Sequence, residues 1–223
     1  MLLFFPVYYI YSLMFLLHIV SLLDFLHFDF DEAFADGHIV AQPLMHSTSI
    51  LSGKELFFHP GHIWFKNHVI VWQKIFRRTF LIENDILFAE NIMYEDVDYA
   101  FLSYPRAKRV QHISEHVYLY RANDDSITRK SPTVNHVRYM IELCKRVEVQ
   151  LQKGEELGLD MEFIAQMQQL IKNTFYRSLA FYKGLDRVEK QEADSLYKEL
   201  PFRLFRYISV SMAILQYRIR LSL

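Results

Sequence analysis

The sequence predicts an α/β protein: a domain of mixed strands and helices, followed by a helical C-terminal region. Three observations predict it. Large apolar residues alternate with acids and His27 over 22–34, the period-two signature of a half-buried strand. A similar alternation returns over 109–122. From Ser131 onward the apolar residues recur at helical spacing instead, with Gly154 and Gly184 as stop signals.

Taken in order, residues 2–23, LLFFPVYYIYSLMFLLHIVSLL, carry no formal charge at neutral pH. A run of about 20 apolar residues can span a bilayer. A secretory signal would want a basic start and a small-residue cleavage site, and neither stands here. No Lys or Arg precedes the run and Asp24 follows it, so flanking charge sets no orientation. Residues 1–23 therefore read as a membrane span, as buried strand and helix, or as a start that does not belong to the folded unit. After the strand at 22–34, Ala35-Asp36-Gly37 is a turn. Residues 41–58 form a loop leading into a short helix capped by Ser52, with Glu55 three residues on. His59-Pro60-Gly61-His62 breaks the chain. Residues 69–85 suit a short amphipathic helix with Arg77 and Arg78 on a solvated basic face, and 86–88 suit a brief strand. A helix then runs through Tyr94, Val97, Phe101 and Leu102, and 109–122 makes one or two strands before the loop at 123–126. The C-terminal helices run from Ser131-Pro132 to about Gly154, from about Asp160 to Lys183, and over 186–199.

Composition narrows the function. The 223 residues suffice for one fair-sized domain, or one domain with a helical appendage. A net charge of −1 and a pI of about 6.8 provide no field to recruit nucleic acid. Six glycines with no G-x-G-x-x-G and no Walker pattern argue against a phosphate-cradling loop. The single cysteine, Cys144, excludes an internal disulfide and a cysteine zinc cage, and suits a reducing, cytoplasmic environment. His38, His46, His59, His62 and His68 fit no standard zinc spacing and read as loop and surface residues.

The chemistry gathers around IMYEDVDYAF, residues 92–101, which sets Glu95, Asp96 and Asp98 among apolar and aromatic neighbours. Acids in the first turn of a helix are favoured by its open N–H groups and positive dipole end, which accounts for Glu95 and Asp96 without any further role. The surrounding order of residues adds one. Trp72-Gln73-Lys74, Phe76-Arg77-Arg78, Phe80-Leu81, Asn84 to Phe88 and Tyr94-Glu95-Asp96 follow one another, then Tyr118-Leu119-Tyr120-Arg121 and Ser126-Ile127-Thr128. This order resembles the distal half of the catalytic domain of family 2 glycosyltransferases, those of bacterial capsule, lipopolysaccharide and exopolysaccharide synthesis being most similar. It covers about residues 24–130, and upstream DFLHFDF and SGKELF match the same family's strand and acceptor-side loop. The family usually has Asn where Gln73 stands.

The resemblance implies a partial GT-A-like, Rossmann-like domain over 24–130, a helical region over 131–223, and transfer of a sugar from a nucleotide-sugar donor to a saccharide or lipid-linked acceptor. It implies Asp96 as the general base on the acceptor hydroxyl, with Glu95 orienting it. Trp72 would stack on a sugar ring, Lys74 would bind a hydroxyl or diphosphate oxygen, and Arg121 and Ser126 would lie near the donor diphosphate. Trp72 reads equally well as core. The family expects a divalent metal, Mg or Mn, held by an Asp-x-Asp loop in a nucleotide-binding half that would precede residue 24. Asp29 and Asp31 satisfy that pattern literally, but where the family has a later strand. An enzyme lacking its donor half is therefore expected, at the cytoplasmic side of the membrane. The alternative is an inactive, membrane-associated binding or scaffold protein of that descent. Arg203, Arg206, Arg218 and Arg220 flank an apolar centre at 207–217, which is either a basic amphipathic helix on an anionic membrane surface or a terminal helix packed on its neighbours.

Overall fold

The computed structural model describes residues 22–41, 45–60, 69–123, 131–154, 159–200 and 204. The apolar start at 1–21, the loop around Ser126 and the basic tail from 205 lie outside the described residues. Two compact units are formed: Met1–Leu87 with Leu102–Asn123, and Phe88–Phe101 with Asp124–Leu223.

The first unit is built on strand β1, Phe25–Ala33, which confirms the alternation at 22–34. Along its whole length β1 pairs in parallel with β4, Val110–Arg121, one continuous strand. Its other edge is shared. Strand β2, Ile39–Ala41, returns antiparallel on Asp31–Ala33 through the turn at Gly37, whose φ of +88° suits glycine. Strand β3, Lys74–Phe76, pairs antiparallel with Phe25–His27. The sheet is therefore mixed. Phe25, Leu26, Leu56, Tyr104 and Val110 are among the residues that make its core. Helix α1, Gly53–Phe57, starts with the expected capping box: Ser52 accepts from the Glu55 N–H, and Glu55 accepts from the Ser52 N–H at 2.7 Å. A Cβ at Gly53 would stand 2.1 Å from the Tyr104 carbonyl oxygen, so no larger residue fits there.

Residues 69–85 depart from the expected single helix. A 3-10 turn at Val71–Gln73 leads into β3, and only Arg78–Glu83 is α-helical, as α2. The unpaired edge of β1 supplies a ladder for Lys74–Phe76, and those hydrogen bonds outweigh a short helix that is marginal by itself. Arg77 also leaves its expected solvated face. It donates to the Leu23 carbonyl at 3.0 Å and to Asp24 at 2.6 Å, while Arg78 stays exposed. Residues 86–88 form no strand: Ile86 is buried, whereas Leu87 and Phe88 face outward.

Helix α3, Glu95–Ser103, begins in the second unit, and the division between units falls after Phe101. Three helices follow: α4, Val134–Gln152; α5, Met161–Lys183; and α6, Arg187–Lys198. Asp160 and Asp186 cap α5 and α6 by accepting first-turn N–H groups, which sets the helix starts near the expected bounds at 160 and 186. The stripe Val137, Ile141, Cys144 and Val147 on α4 is buried, as are Phe163, Met167, Leu170, Ile171 and Phe175 on α5. Val134 N–H donates to Glu189, which ties the start of α4 to α6. Among the described residues no helix is long and apolar enough to cross a membrane.

Cys144 sits in this core with its thiol 3.6 Å from the Ile171 carbonyl oxygen, and burial pushes the thiol far above its ordinary value. A disulfide reagent at neutral pH is therefore expected to label the folded chain no faster than the chain unfolds. Stopped-flow labelling across a denaturant series measures this, and the labelling rate should follow the unfolding rate.

Candidate active site

Three acids share the first turn of α3, and the structure gives them different tasks. Asp98 is fully buried. Arg146 donates to it from Nε at 2.8 Å and from Nη2 at 2.6 Å, and Gln150, one turn along α4, donates to its other oxygen. Burial pushes the Asp98 carboxyl above the usual carboxylate range, and Arg146 pulls against that. Asp98 thus ties α3 to α4. Asp96 lies two residues earlier, about 200° round the helix at roughly 100° per residue, on the side away from α4. Glu95 and Asp96 are half-buried, at the helix end whose dipole favours negative charge.

The approach to these acids is strained. Asp85, Asn91 and Tyr94 all have positive φ, of 51°, 58° and 65°. Asn and Asp tolerate that region; a tyrosine there is an outlier that costs on the order of 1–3 kcal/mol. The Tyr94 carbonyl accepts the Val97 N–H at 3.1 Å, so this residue sets the direction in which the chain enters α3. Its ring lies under the Arg177 guanidinium of α5, 5.1 Å from carbon to centroid. Burial raises the Tyr94 phenol above its ordinary value; nearby Arg177 lowers it and Asp96 raises it.

In the first unit Trp72 is half-buried in a cluster of rings. It stacks on Tyr118 and Tyr120, with centroids 4.7 and 5.2 Å away, and meets Phe30 edge-on at 4.7 Å. Tyr118 is 42% exposed and forms the open side of the cluster. Lys74 lies inside: its ammonium donates to the Ile70 carbonyl at 2.7 Å and sits 5.5 Å from the Tyr104 ring centroid. Arg121 is exposed at the end of β4. Ser126 lies outside the described residues. The structure therefore groups Trp72 with Tyr118 and Tyr120 in one unit, and Glu95 with Asp96 in the other.

Asp29 and Asp31 share one face of β1 with His27. Opposite this face stand His112, the register partner of His27, and His116, which an irregularity in the β1–β4 register after Phe28 places opposite Asp29. Asp29 accepts the Met45 N–H at 3.1 Å and lies 3.3 Å from His112 Nε2, while Asp31 lies 2.7 Å from His116 Nδ1. His27 and His112 meet through their Nδ1 atoms at 2.7 Å. Both carboxylates are thus turned to imidazoles of β4. Among the described residues no group of three or more His, Cys, Asp or Glu is placed to hold a metal ion.

Sequence reasoning did not find Arg146, Arg177 or the β4 histidines. The first two stand on helices remote in sequence from Asp98 and Tyr94, which they meet. One available signal was the spacing of Arg177 and Phe181, four apart on α5 and so on one face.

No family model matches this chain. An uncharacterized glycosyltransferase of Bacillus subtilis (strain 168), EpsJ, is 26% identical over 113 residues, which cover 48% of this chain and 31% of the relative. Among solved structures, S. aureus TarS 1–349 in complex with UDP-GlcNAc matches 94% of this chain and 59% of its own, with a TM-score of 0.51 and 16% identity. The longer S. aureus TarS structure matches with a TM-score of 0.52 and 16% identity, over 94% of this chain and 35% of its own. The chain thus spans less than two thirds of each of these proteins. It shares the fold of the TarS structures.

Replacing Arg146 by Met leaves Asp98 buried without its cation. Since Arg146 is partly open to solvent, the expected loss is at the lower end of the range for a broken buried pair, about 3 kcal/mol. The Asp98 carboxyl should rise further, because the cation that opposes the effect of burial is gone. A raised value in the folded chain means that Asp98 contributes most below its unfolded value, and that stability falls as pH rises through the folded value. Denaturant unfolding at several pH values and a carbonyl-carbon titration of Asp98 measure both effects.

Proposed function

We propose that this chain is part of a glycosyltransferase that moves a sugar from a nucleotide-sugar donor to a saccharide or lipid-linked acceptor in bacterial surface polysaccharide synthesis. The observation that carries the reading is the acid pair Glu95-Asp96, half-buried at the start of α3 in a chain with a glycosyltransferase fold. The B. subtilis relative, named a glycosyltransferase, supports it from sequence. TarS was solved with UDP-GlcNAc, which makes a UDP-N-acetylhexosamine the first donor to try.

The proposed reaction needs few parts. Asp96 accepts the proton of an acceptor hydroxyl; the oxygen attacks the anomeric carbon; the bond from that carbon to the diphosphate breaks, and the nucleoside diphosphate leaves with the electron pair. Glu95 orients Asp96 or the acceptor. The dipole of α3 favours the carboxylate form that a base requires. Trp72, Lys74, Arg121 and Ser126 are proposed as substrate-binding residues on the strength of the resemblance. For Trp72 the ring to which a sugar has access is its neighbour Tyr118, and Lys74 acts from an interior position. A divalent ion, Mg or Mn, belongs to the proposal as an addition to the assay.

The test is purified chain mixed with a panel of nucleotide sugars, UDP-GlcNAc first, with Mg or Mn and simple saccharide or lipid-linked acceptors. Donor consumption should appear, and Asp96→Asn should reduce turnover by about 10²–10⁴-fold, the usual contribution of a general base, without lowering the melting temperature. Neither binding nor consumption of any nucleotide sugar would sink the reading.

A further inference from the structure

We infer that Arg177 is a positioning residue for the acid pair: its guanidinium, laid over the Tyr94 ring, holds Tyr94 in its left-handed conformation and so aims Glu95 and Asp96. The catalytic meaning of this rests on the glycosyltransferase reading; the conformational part stands on geometry.

Tyr94 occupies backbone space where glycine is at ease and a bulky side chain is not, so something must hold it there. Its hydroxyl does not: the oxygen is buried with no hydrogen-bond partner among the described residues. What meets the ring is Arg177, 5.1 Å from its centroid. The same guanidinium lies 5.6 Å from the centroid of Phe181, one turn further along α5, and is thereby held between two aromatic faces. Other arginines of this unit are differently engaged. Arg138 meets Glu192 and Arg146 meets Asp98, whereas Arg177 has no carboxylate partner among the described residues.

The consequence passes along the chain through one peptide. Tyr94 supplies the carbonyl that receives the first-turn N–H of Val97, so its φ fixes where α3 starts and how Glu95 and Asp96 leave the backbone. Asp98 fixes the helix on its other side through Arg146 and Gln150. Between them, the two arginines determine the direction of the acid-bearing turn: Arg146 through Asp98 behind it, and Arg177 through Tyr94 ahead of it. The planar guanidinium suits the role better than an ammonium, because it can lie flat on a ring.

Two measurements on the full chain test this. Backbone amide shifts of Glu95, Asp96 and Val97 are compared between wild type, Arg177→Gln and Arg177→Lys. Arg177→Gln should move them more than it moves the capped starts of α5 and α6 at Met161 and Arg187, and Arg177→Lys should move them less than Arg177→Gln does. Unmoved Glu95 and Asp96 signals overturn the inference. The second measurement is turnover of the nucleotide sugar that wild type consumes. Arg177→Gln should lower kcat about tenfold, the scale of a well-formed cation–π contact, with KM for the donor unchanged. In a Tyr94→Gly background, where the backbone strain is relieved and the ring is gone, Arg177→Gln should cost nothing more. An equal loss in both backgrounds, or a raised KM with kcat unchanged, overturns the inference and makes Arg177 a direct substrate contact. A wild-type chain that consumes no nucleotide sugar refutes the glycosyltransferase reading instead, and the amide shifts alone then decide for or against the role of Arg177.

Discussion

The first unit depends on one buried carboxylate, that of Asp24. It takes the Arg77 guanidinium at 2.6 Å and the N–H groups of Lys108 and Arg109 at 2.6 and 3.0 Å. Its own backbone continues the knot, donating to the Arg109 carbonyl and accepting from the Arg77 N–H. A charge that is 6% exposed would be prohibitive alone; three donors at hydrogen-bond distance make it tolerable. The knot stands one residue before β1 and joins the chain after β3 to the chain before β4. Register follows from it. A slip of one residue would turn His27, Asp29 and Asp31 away from His112 and His116, and their face of the strand would have to accept the apolar set instead.

The second unit repeats the device with Asp98. In both places a buried acid is held by an arginine and by a further donor: for Asp24 the two come from different segments, for Asp98 both come from α4. Such pairs add little net stability over well-packed apolar residues, because desolvation consumes most of the Coulombic gain. Their value here is directional. An apolar residue at position 98 could bury α3 against α4 in several rotations, whereas a carboxylate bound by Nε and Nη2 of one arginine accepts one. The turn that presents Glu95 and Asp96 inherits that orientation.

Legibility in the sequence followed the range of the interaction. The caps at Ser52, Asp160 and Asp186 are local, so helix starts could be read directly. Strands β1 and β4 alternate strongly enough to be seen by themselves. Lys74-Ile75-Phe76 did not, because three residues carry no period and became a strand only through the edge that β1 offers. The brief strand expected at 86–88 failed for the opposite reason: among the described residues no strand pairs with it, and two of its three apolar residues face outward. Among the acids, composition alone could not rank Asp98 against Asp96. The distinction lies in Arg146 and Gln150, whose spacing of four on α4 is visible, but whose target is not.

Burial and pairing also decide where a base can be built. A buried, fully paired carboxylate such as Asp98 is poorly suited to take a proton from a substrate, since its oxygens are already engaged and its surroundings closed. A fully exposed one would have no fixed direction. Asp96 lies between these limits, half-buried, at a helix N-terminus, with its turn fixed from behind by a salt-bridged neighbour and entered through a strained tyrosine. Strain of that kind persists where surrounding contacts over-determine it, and it gathers where geometry matters to chemistry. Asp96 and Asp98, two positions apart in IMYEDVDYAF, thus differ in burial and in partners, and in the proposed reaction that difference is a division of labour. Asp98 holds the helix, and in the proposed reaction Asp96 takes the proton.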